Sequence, residues 1–173
     1  PQGNIAARYD KIHMFDVTVS ETESYRESAG YRPGNRAVVV RTPDAAIGLS
    51  VCYDVRFGYL YRRLAKAGAQ ILLVPSAFSP VTGAAHWETL LRARAIETGC
   101  FVLAAAQTGT HSAQAGTPRQ TWGHSLAVAP WGEVLADAGT EPGVTMVDLD
   151  MALVEKSRAR VPSLTHDRTF EGP

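Results

Sequence analysis

The sequence of 173 residues contains 17 Lys and Arg residues and 17 Asp and Glu residues, so its formal net charge is zero. This balance excludes the basic excess that is typical of dedicated nucleic-acid-binding proteins. No stretch approaches the roughly 20 consecutive apolar residues of a membrane span. The two cysteines, Cys52 and Cys100, do not indicate a disulfide framework. A globular protein in a reducing, cytoplasmic setting is therefore expected.

The first part of the chain is predicted to contain turns and short strands. Residues 2–4 are typical of a hairpin turn, and residues 5–11 of the strand that leaves it. Because a hairpin also needs an earlier strand, we expect that the fold begins before this chain does. A polar stretch over residues 16–36 precedes two further strands, which are predicted over residues 37–42 and 45–51.

The central part predicts strand–helix–strand units. The strand over residues 45–51 leads into a helical pattern over residues 57–67 and an apolar strand over residues 70–75. Such units form parallel strand pairs with a right-handed crossover. A helix over residues 86–98 and a strand over residues 101–107 follow. The predicted buried stripe of this helix is Leu90, Leu91, Ala93 and Ile96, with Gly99 at its end.

The last part predicts a hairpin and a short helix. A polar loop over residues 108–122 leads to strands over residues 124–129 and 133–136, and a final strand is expected over residues 144–149. A helix over residues 150–158 precedes the polar tail. Parallel units combined with hairpins predict a layered α/β domain with a mixed sheet.

Cys52 is the best candidate for chemistry among these residues. It stands where a buried strand turns into a helix, and reactive groups gather at the carboxyl ends of strands in open α/β sheets. Backbone N–H groups of such a turn can also bind an oxyanion. The residues alone leave open that Cys52 is merely a small buried hydrophobic residue, which is the role predicted for Cys100.

A cysteine nucleophile needs a nearby cation or base, since the thiolate is the reactive form. Lys11, at the end of a predicted strand, is a candidate, although an isolated lysine there is more often simply exposed. The five histidines have no metal-ligand spacing, and no glycine-rich phosphate loop is present. Neither a metal nor another cofactor is predicted.

Several motifs in order give the chain a family resemblance. YDKIHMFD at residues 9–16 resembles the lysine motif of the nitrilase superfamily of carbon–nitrogen hydrolases, and GLSVCYDVRF at residues 48–57 resembles its cysteine motif. PSAF at residues 75–78 and the segments over residues 82–107 and 123–139 are similar to its amidase branch. The resemblance covers nearly the whole chain.

The resemblance implies a Glu–Lys–Cys site that forms an acyl-enzyme. Cys52 would be the nucleophile, and Lys11 would stabilise the oxyanion together with the backbone N–H of Tyr53. Glu27 matches a second glutamate of the family, whose implied role is to orient Lys11. Read alone, a glutamate in such a loop is more often an exposed carboxylate.

The implied fold is the αββα four-layer sandwich of the family, of which this chain would be the later part. Residues 1–173 would then be a single carbon–nitrogen hydrolase domain that lacks its N-terminal part. That part carries the family's general-base glutamate, so the chain alone is expected to be inactive. Members of the family usually form homodimers, which is the expectation here.

The implied substrate is a small amide that carries a carboxylate, as for deaminated-glutathione amidases and ω-amidases, with more similarity to the former. Arg56 and Thr82 are the residues implied to hold the carboxylate, and arginine suits this role. An internal ion pair of Arg56 with Asp54 or Glu97 is the alternative. Trp87 is expected to pack the helix.

Two other functions stay open on the sequence alone. A chain without the general base is compatible with a non-catalytic relic or an interaction module that keeps the fold. Hydrolysis of N-carbamoyl amino acids or of nitriles is a different chemistry within the same family. A small-molecule partner is expected in the enzymatic cases, and neither nucleic acid nor a membrane in any of them.

Overall fold

The computed structural model describes residues 3–21, 23–112 and 118–172. Its helices are α1 (Gly58–Lys66), α2 (Pro80–Thr98) and α3 (Ala152–Arg160). Its strands are β1 (Asp16–Thr18), β2 (Ser24–Arg26), β3 (Val38–Arg41), β4 (Ala46–Leu49), β5 (Ile71–Leu73), β6 (Phe101–Ala104), β7 (Thr108–His111), β8 (Arg119–Trp122), β9 (Leu126–Val128) and β10 (Val134–Asp137).

The central sheet has six strands in the order β10–β9–β6–β5–β4–β3. The pairs β4–β5 and β5–β6 are parallel, whereas the outer pairs are antiparallel. The predicted mixed sheet and both strand–helix–strand units are therefore confirmed. Parallel pairing brings the carboxyl ends of β4, β5 and β6 to one edge of the sheet, where the loop that contains Cys52 begins.

The core follows from the alternation of side chains along the strands. Leu72 and Val102 face α1 and α2, while their neighbours Ile71 and Phe101 face the opposite side of the sheet. On that opposite side Val154 of α3 packs against Phe101 and its neighbours. The strands are apolar on both faces because both faces are at least partly covered.

Helix α2 begins at Pro80, earlier than the predicted start at residue 86. Ser79 caps its first turn by accepting a hydrogen bond from the N–H of Thr82 at 3.4 Å, and proline is well tolerated in a first turn. The predicted end is confirmed, since Gly99 has a left-handed φ of 59°.

The predicted buried stripe of α2 is wrong at Ile96, which is 57% exposed, whereas Leu91 is buried as predicted. The helix turns a different face to the sheet, so that Ile96 lies on its outer side beside the β9–β10 turn. The residues that the helix buries are Gly83, Trp87, Leu91, Arg94, Ala95 and Thr98.

Three predicted elements differ from the structure. Residues 5–11 and 144–149 are not strands, and Val144 and Met146 are 90% and 87% exposed. The predicted loop over residues 108–122 instead contains the antiparallel pair β7–β8, while residues 113–117 lie outside the described residues. The predicted turn at residues 2–4 also falls partly outside them. In the part of the chain that is described, no helix is long and apolar enough to cross a membrane.

Candidate active site

Cys52 stands on a sharp turn directly beyond β4. Its φ is 50°, a value that is uncommon for residues other than glycine and that is often found at functional sites. Its N–H donates to the carbonyl of Pro75 at 2.9 Å, which fixes the turn against the segment after β5. A short 3₁₀ turn, Cys52–Arg56, follows. The thiol is half-buried and lies at the carboxyl edge of the sheet.

Lys11 and Glu27, the other two predicted catalytic residues, form an ion pair. Their side chains are 13% and 25% exposed, so the pair is largely shielded from solvent. The same carboxylate oxygen of Glu27 accepts a hydrogen bond from the N–H of Phe15 at 2.6 Å. Glu27 thereby ties the ammonium of Lys11 to the backbone that leads into β1.

A cleft of about 850 Å³ contains both Cys52 and the Lys11–Glu27 pair. The predicted residues Lys11, Glu27 and Cys52 therefore line one cavity. Among the described residues of its lining, three side chains are cationic, Lys11, Arg26 and Arg119, and Glu27 is the one carboxylate. This charge distribution favours anionic ligands.

Arg56 and Thr82 lie in a separate, narrow recess that shares Cys52 with the cleft. The recess has a volume of about 10 Å³, room for about one water molecule. The guanidinium of Arg56 lies 5.6 Å from the centre of the Phe78 ring and hydrogen-bonds Nδ1 of His86 at 3.2 Å. Cys52 therefore borders both the wide cleft and the narrow recess that contains Arg56 and Thr82.

The alternative prediction for Arg56, an internal ion pair with Asp54 or Glu97, is wrong for both carboxylates. Glu97 pairs with Arg94, one helical turn away, at 2.6 Å. Asp54 is fully buried and directed away from Arg56, toward the segment that contains Lys11. Arg56 is thus held by an aromatic ring and an imidazole rather than by a carboxylate.

The buried carboxylate of Asp54 accepts hydrogen bonds from two separate segments. Tyr9 donates its hydroxyl proton at 2.7 Å, and the backbone N–H of His13 donates at 3.0 Å. The backbone N–H of Val51 donates at 2.9 Å from the turn itself. Nδ1 of His13 lies 2.7 Å from the carboxylate. The network connects the segment around Lys11 to the turn of Cys52.

Aromatic contacts reinforce this connection. The imidazole of His13 stacks on the ring of Phe57 with centroids 3.6 Å apart, and its Nε2 contacts the hydroxyl of Tyr59. Burial, together with the hydrogen bond to Asp54, raises the pKa of Tyr9 above its usual value. Tyr9 therefore stays protonated and continues to donate to Asp54 throughout the physiological pH range.

The other residues to which the sequence analysis assigned a role are Tyr53, Trp87 and Cys100. Tyr53 follows Cys52 in the 3₁₀ turn, and its ring contacts Phe15 edge-on at 5.0 Å. Trp87 is 2% exposed and donates from Nε1 to the carbonyl of His124 at 2.7 Å, which confirms that it packs the helix. Cys100 is fully buried, as predicted, and burial raises the pKa of its thiol.

In the described ranges, no group of three or more His, Cys, Asp or Glu residues is placed to hold a metal ion.

Comparison with known proteins decides the family. The model of the family described as "Carbon-nitrogen hydrolase" matches residues 1–159. The chain belongs to the carbon–nitrogen hydrolase family. The resemblance of its lysine and cysteine motifs to this family is thereby confirmed.

The carbon–nitrogen hydrolases that resemble this chain include several deaminated glutathione amidases. The protein of Yersinia enterocolitica is 46% identical over 168 residues, which are 96% of this chain and 57% of that protein. The mouse protein is 44% identical over 168 residues, again 96% of this chain and 51% of its own length. The chain therefore spans about half the length of the curated relatives it matches.

Solved structures of the family agree with the fold. The Caenorhabditis elegans NitFhit protein has a TM-score of 0.81 at 44% identity, covering 94% of this chain and 39% of its own. Nit3 of Saccharomyces cerevisiae, a member of the nitrilase superfamily, has a TM-score of 0.81 at 32% identity over 97% of this chain and 56% of its own. The predicted α/β fold of this superfamily is confirmed.

Sequence reasoning missed three residues of this carbon–nitrogen hydrolase site. The sequence offers Asp54 only as a partner of Arg56, and His13 only as one of five histidines without metal-ligand spacing. Their positions inside the cysteine and lysine motifs were the available signal, because motif residues that do no chemistry often position those that do. Arg119 lay in a segment predicted to be a loop.

Proposed function

We propose that the protein hydrolyses a non-peptide amide bond of a small, carboxylate-bearing substrate through an acyl-enzyme on Cys52. The observation that carries this proposal is the placement of Cys52, on a strained turn, in the same cleft as the shielded Lys11–Glu27 pair. Nucleophile, cation and cavity are together, as such chemistry requires.

The reaction has two steps, acylation of Cys52 and hydrolysis of the resulting thioester. The general-base glutamate takes the thiol proton of Cys52, the thiolate attacks the carbonyl carbon, the C–N bond breaks, and the same proton passes to the leaving amine. Water then attacks the thioester, releases the carboxylic acid and returns the thiol. The proton acceptor for both attacks is the family's general-base glutamate, which the family resemblance places before the lysine motif.

Lys11 and the N–H of Tyr53 stabilise the negative charge that develops on the carbonyl oxygen. Lys11 lines the same cleft as Cys52, and the N–H of Tyr53 immediately follows the nucleophile in the turn. Glu27 holds Lys11 in place through their ion pair, since its carboxylate is fixed by Phe15. Preorganised donors of this kind need no rearrangement during the reaction.

The proposed substrate class is supported by the cationic side chain of Arg56 near Cys52 and by the names of the relatives. Arg56 and Thr82 line the narrow recess beside Cys52, which must widen to admit the carboxylate of the acyl portion that they bind. Deaminated glutathione or an amide of an α-keto acid fits this requirement, in keeping with the name of the relatives at 44–46% identity. A homodimer and a cytoplasmic location are part of the proposal.

The test is turnover of a substrate panel by the full-length gene product. We expect hydrolysis of α-keto-acid amides, and trapping of the acyl-enzyme at low pH should add the acyl mass to Cys52. The variant Cys52→Ala should show neither hydrolysis nor the added acyl mass. Cys100→Ala, a change at the other cysteine, should show both. Turnover of nitriles or N-carbamoyl amino acids without amides would contradict the proposal, as would a well-folded protein that turns over none of them.

A further inference from the structure

The guanidinium of Arg56 has one directional partner among the described residues, the imidazole of His86. Nη2 of Arg56 donates to Nδ1 of His86 at 3.2 Å. Its other neighbours are aromatic rings, since the guanidinium carbon lies 5.6 Å from the ring centre of Phe78 and 5.9 Å from that of Tyr53. An aromatic face attracts a cation without fixing the direction of its N–H groups. The orientation of those groups therefore depends on His86.

The contact between Arg56 and His86 requires a neutral imidazole. A guanidinium donates hydrogen bonds but cannot accept them, so Nδ1 must present its lone pair and the ring proton must lie on Nε2. Protonation of the ring would replace this acceptor by a donor. It would also place a second positive charge 3.2 Å from Nη2 of Arg56, where two cations repel each other. The bond is therefore lost when the imidazole gains a proton.

Helix α2 holds His86 outside the recess that Arg56 and Thr82 line. His86 follows Thr82 by four residues, which places it one helical turn further along the same face. Its neighbour Trp87 is buried and donates to the carbonyl of His124, so the backbone at this point is fixed. The imidazole is exposed to solvent and does not line the recess. It therefore acts on a ligand in the recess only through Arg56.

We infer that His86 is a positioning residue that, in its neutral form, directs the guanidinium of Arg56 toward the acyl carboxylate of the substrate. The inference rests on the proposed function, which assigns that carboxylate to Arg56 and Thr82. It adds a dependence on pH, because histidine is the side chain that ordinarily gains a proton between about pH 8 and pH 5. Selectivity for the carboxylate should fall when His86 becomes protonated.

The charged and titratable groups around this contact determine the sign of the effect. Arg56 faces the imidazole from the 3₁₀ turn, and Tyr53 and Cys52 border Arg56. On α2 itself, Glu88 pairs with the arginine four residues further on. Within the described ranges no carboxylate contacts the imidazole to offset its repulsion from Arg56. An exposed imidazolium attracts the substrate only weakly because water and salt screen its charge, whereas loss of the bond releases the guanidinium that binds the carboxylate.

Two variants at His86 in the full-length gene product test the inference. Asparagine places a side-chain oxygen near the position of Nδ1 and does not titrate, whereas alanine provides no acceptor. The two substrates are an α-keto-acid amide with a free acyl carboxylate and its methyl ester. At about pH 8, His86→Ala should lower the ratio of kcat/KM for acid over ester roughly 3- to 10-fold, mainly through KM, as expected for one hydrogen bond. His86→Asn should keep the ratio of the unchanged protein.

A series from about pH 8 to about pH 5.5 supplies a readout that a purely structural role would not change. The carboxylate stays ionised over this range. Titration of Cys52 or of the general base cancels in the ratio, because both substrates need these groups. The ratio of the unchanged protein should fall toward that of His86→Ala as the pH falls, while that of His86→Asn stays constant. His166→Asn, which removes another exposed histidine beyond the last 3₁₀ turn, is the control and should keep the decline.

Three results would overturn the inference. The first is an unchanged ratio in His86→Ala at about pH 8. The second is a ratio that rises when the pH is lowered, which would mean that the imidazolium itself attracts the carboxylate. The third is the same decline in His86→Asn as in the unchanged protein, because the titrating group would then lie elsewhere.

Binding separates this inference from the proposed hydrolysis. Calorimetry of the Cys52→Ala protein with the same two compounds should show tighter binding of the acid than of the ester, and the added change His86→Ala should weaken that preference. If the preference responds to His86 but no substrate is hydrolysed, the proposed function fails and the role of His86 stands. If amides are hydrolysed but neither the kinetic ratio nor the binding preference responds, the role of His86 fails alone.

Discussion

The carboxylate of Asp54 lies 2.7 Å from Nδ1 of His13, although the two residues are 41 positions apart in the chain. His13 stands two residues after Lys11, and Asp54 stands two residues after Cys52. Because Asp54 is fully buried and accepts from both segments, this contact fixes the segment that contains Lys11 against the turn that contains Cys52. The proposed chemistry depends on this placement, since Lys11 acts on an oxyanion formed at Cys52.

Asp54→Asn should destabilise the protein. The new amide group would direct N–H donors at a position to which Tyr9, His13 and Val51 already donate. We expect the free energy of unfolding to fall by about 1–3 kcal/mol, the usual cost of leaving buried polar groups unpaired. Urea denaturation measures this change. Asp44→Asn, at an exposed turn, is the control and should change it by less than about 0.5 kcal/mol. Equal stability of the two variants would show that the network contributes little.

Tyr9→Phe should destabilise the protein in a pH-dependent way. The pKa of Tyr9 is raised in the folded state from its ordinary value of 10.0, so its contribution to stability is fully present below pH 10. It is lost as the pH rises from there toward the folded-state pKa. We expect the variant to lose about 1–2 kcal/mol at neutral pH, for the hydrogen bond to Asp54. That difference from the unchanged protein should shrink above pH 10.

Urea denaturation at a series of pH values from about 7 to 11 tests this expectation. Tyr31→Phe provides the control, because Tyr31 is 71% exposed. A difference between Tyr9→Phe and the unchanged protein that stays constant across the series would argue against the raised pKa.

Lys11→Ala should abolish most of the turnover without unfolding the protein. Loss of one oxyanion donor costs roughly 10²- to 10³-fold in kcat. Steady-state kinetics measures the loss, and circular dichroism checks the fold. Lys66→Ala removes an exposed lysine at the end of α1 and should leave kcat unchanged. Retention of more than about a tenth of the rate in Lys11→Ala would remove the oxyanion role.

Arg56→Lys should raise KM for α-keto-acid amides more than for neutral amides. Lysine keeps the charge but loses the planar fork, and with it the stacking on Phe78 and the bond to His86. KM for a matched pair of substrates, one with the carboxylate and one with its methyl ester, measures the difference. A similar rise for both members would indicate that Arg56 only supports the shape of the recess.

The sequence predicted the central sheet well because its strands are short, continuous apolar runs separated by helical patterns. The strands at residues 45–51 and 70–75 contain β4 and β5, and the strand-to-helix turn at Cys52 follows from them. Local patterns of this kind need no knowledge of the rest of the fold. Family motifs then supplied Lys11 and Glu27, which composition alone could not distinguish from exposed charges.

The parts that could not be predicted depend on contacts between distant segments or on weak patterns. The pair β7–β8 consists largely of polar residues without alternation, such as Thr110 and Gln120, and is typical of a loop by sequence. The Asp54–His13 contact joins two segments whose proximity only the folded chain establishes. Residues 144–149 alternate as a strand does, yet no strand pairs with them among the residues that the structure describes.

The shared carboxylate of Asp54 also has an evolutionary consequence. Tyr9 and His13 each satisfy the same buried anion, so replacement of one leaves the others with an incomplete set of partners. Among homologues, substitutions at positions 9, 13 and 54 should therefore occur together rather than singly. An alignment in which these three positions drift independently would mean that the two segments are held together in some other way.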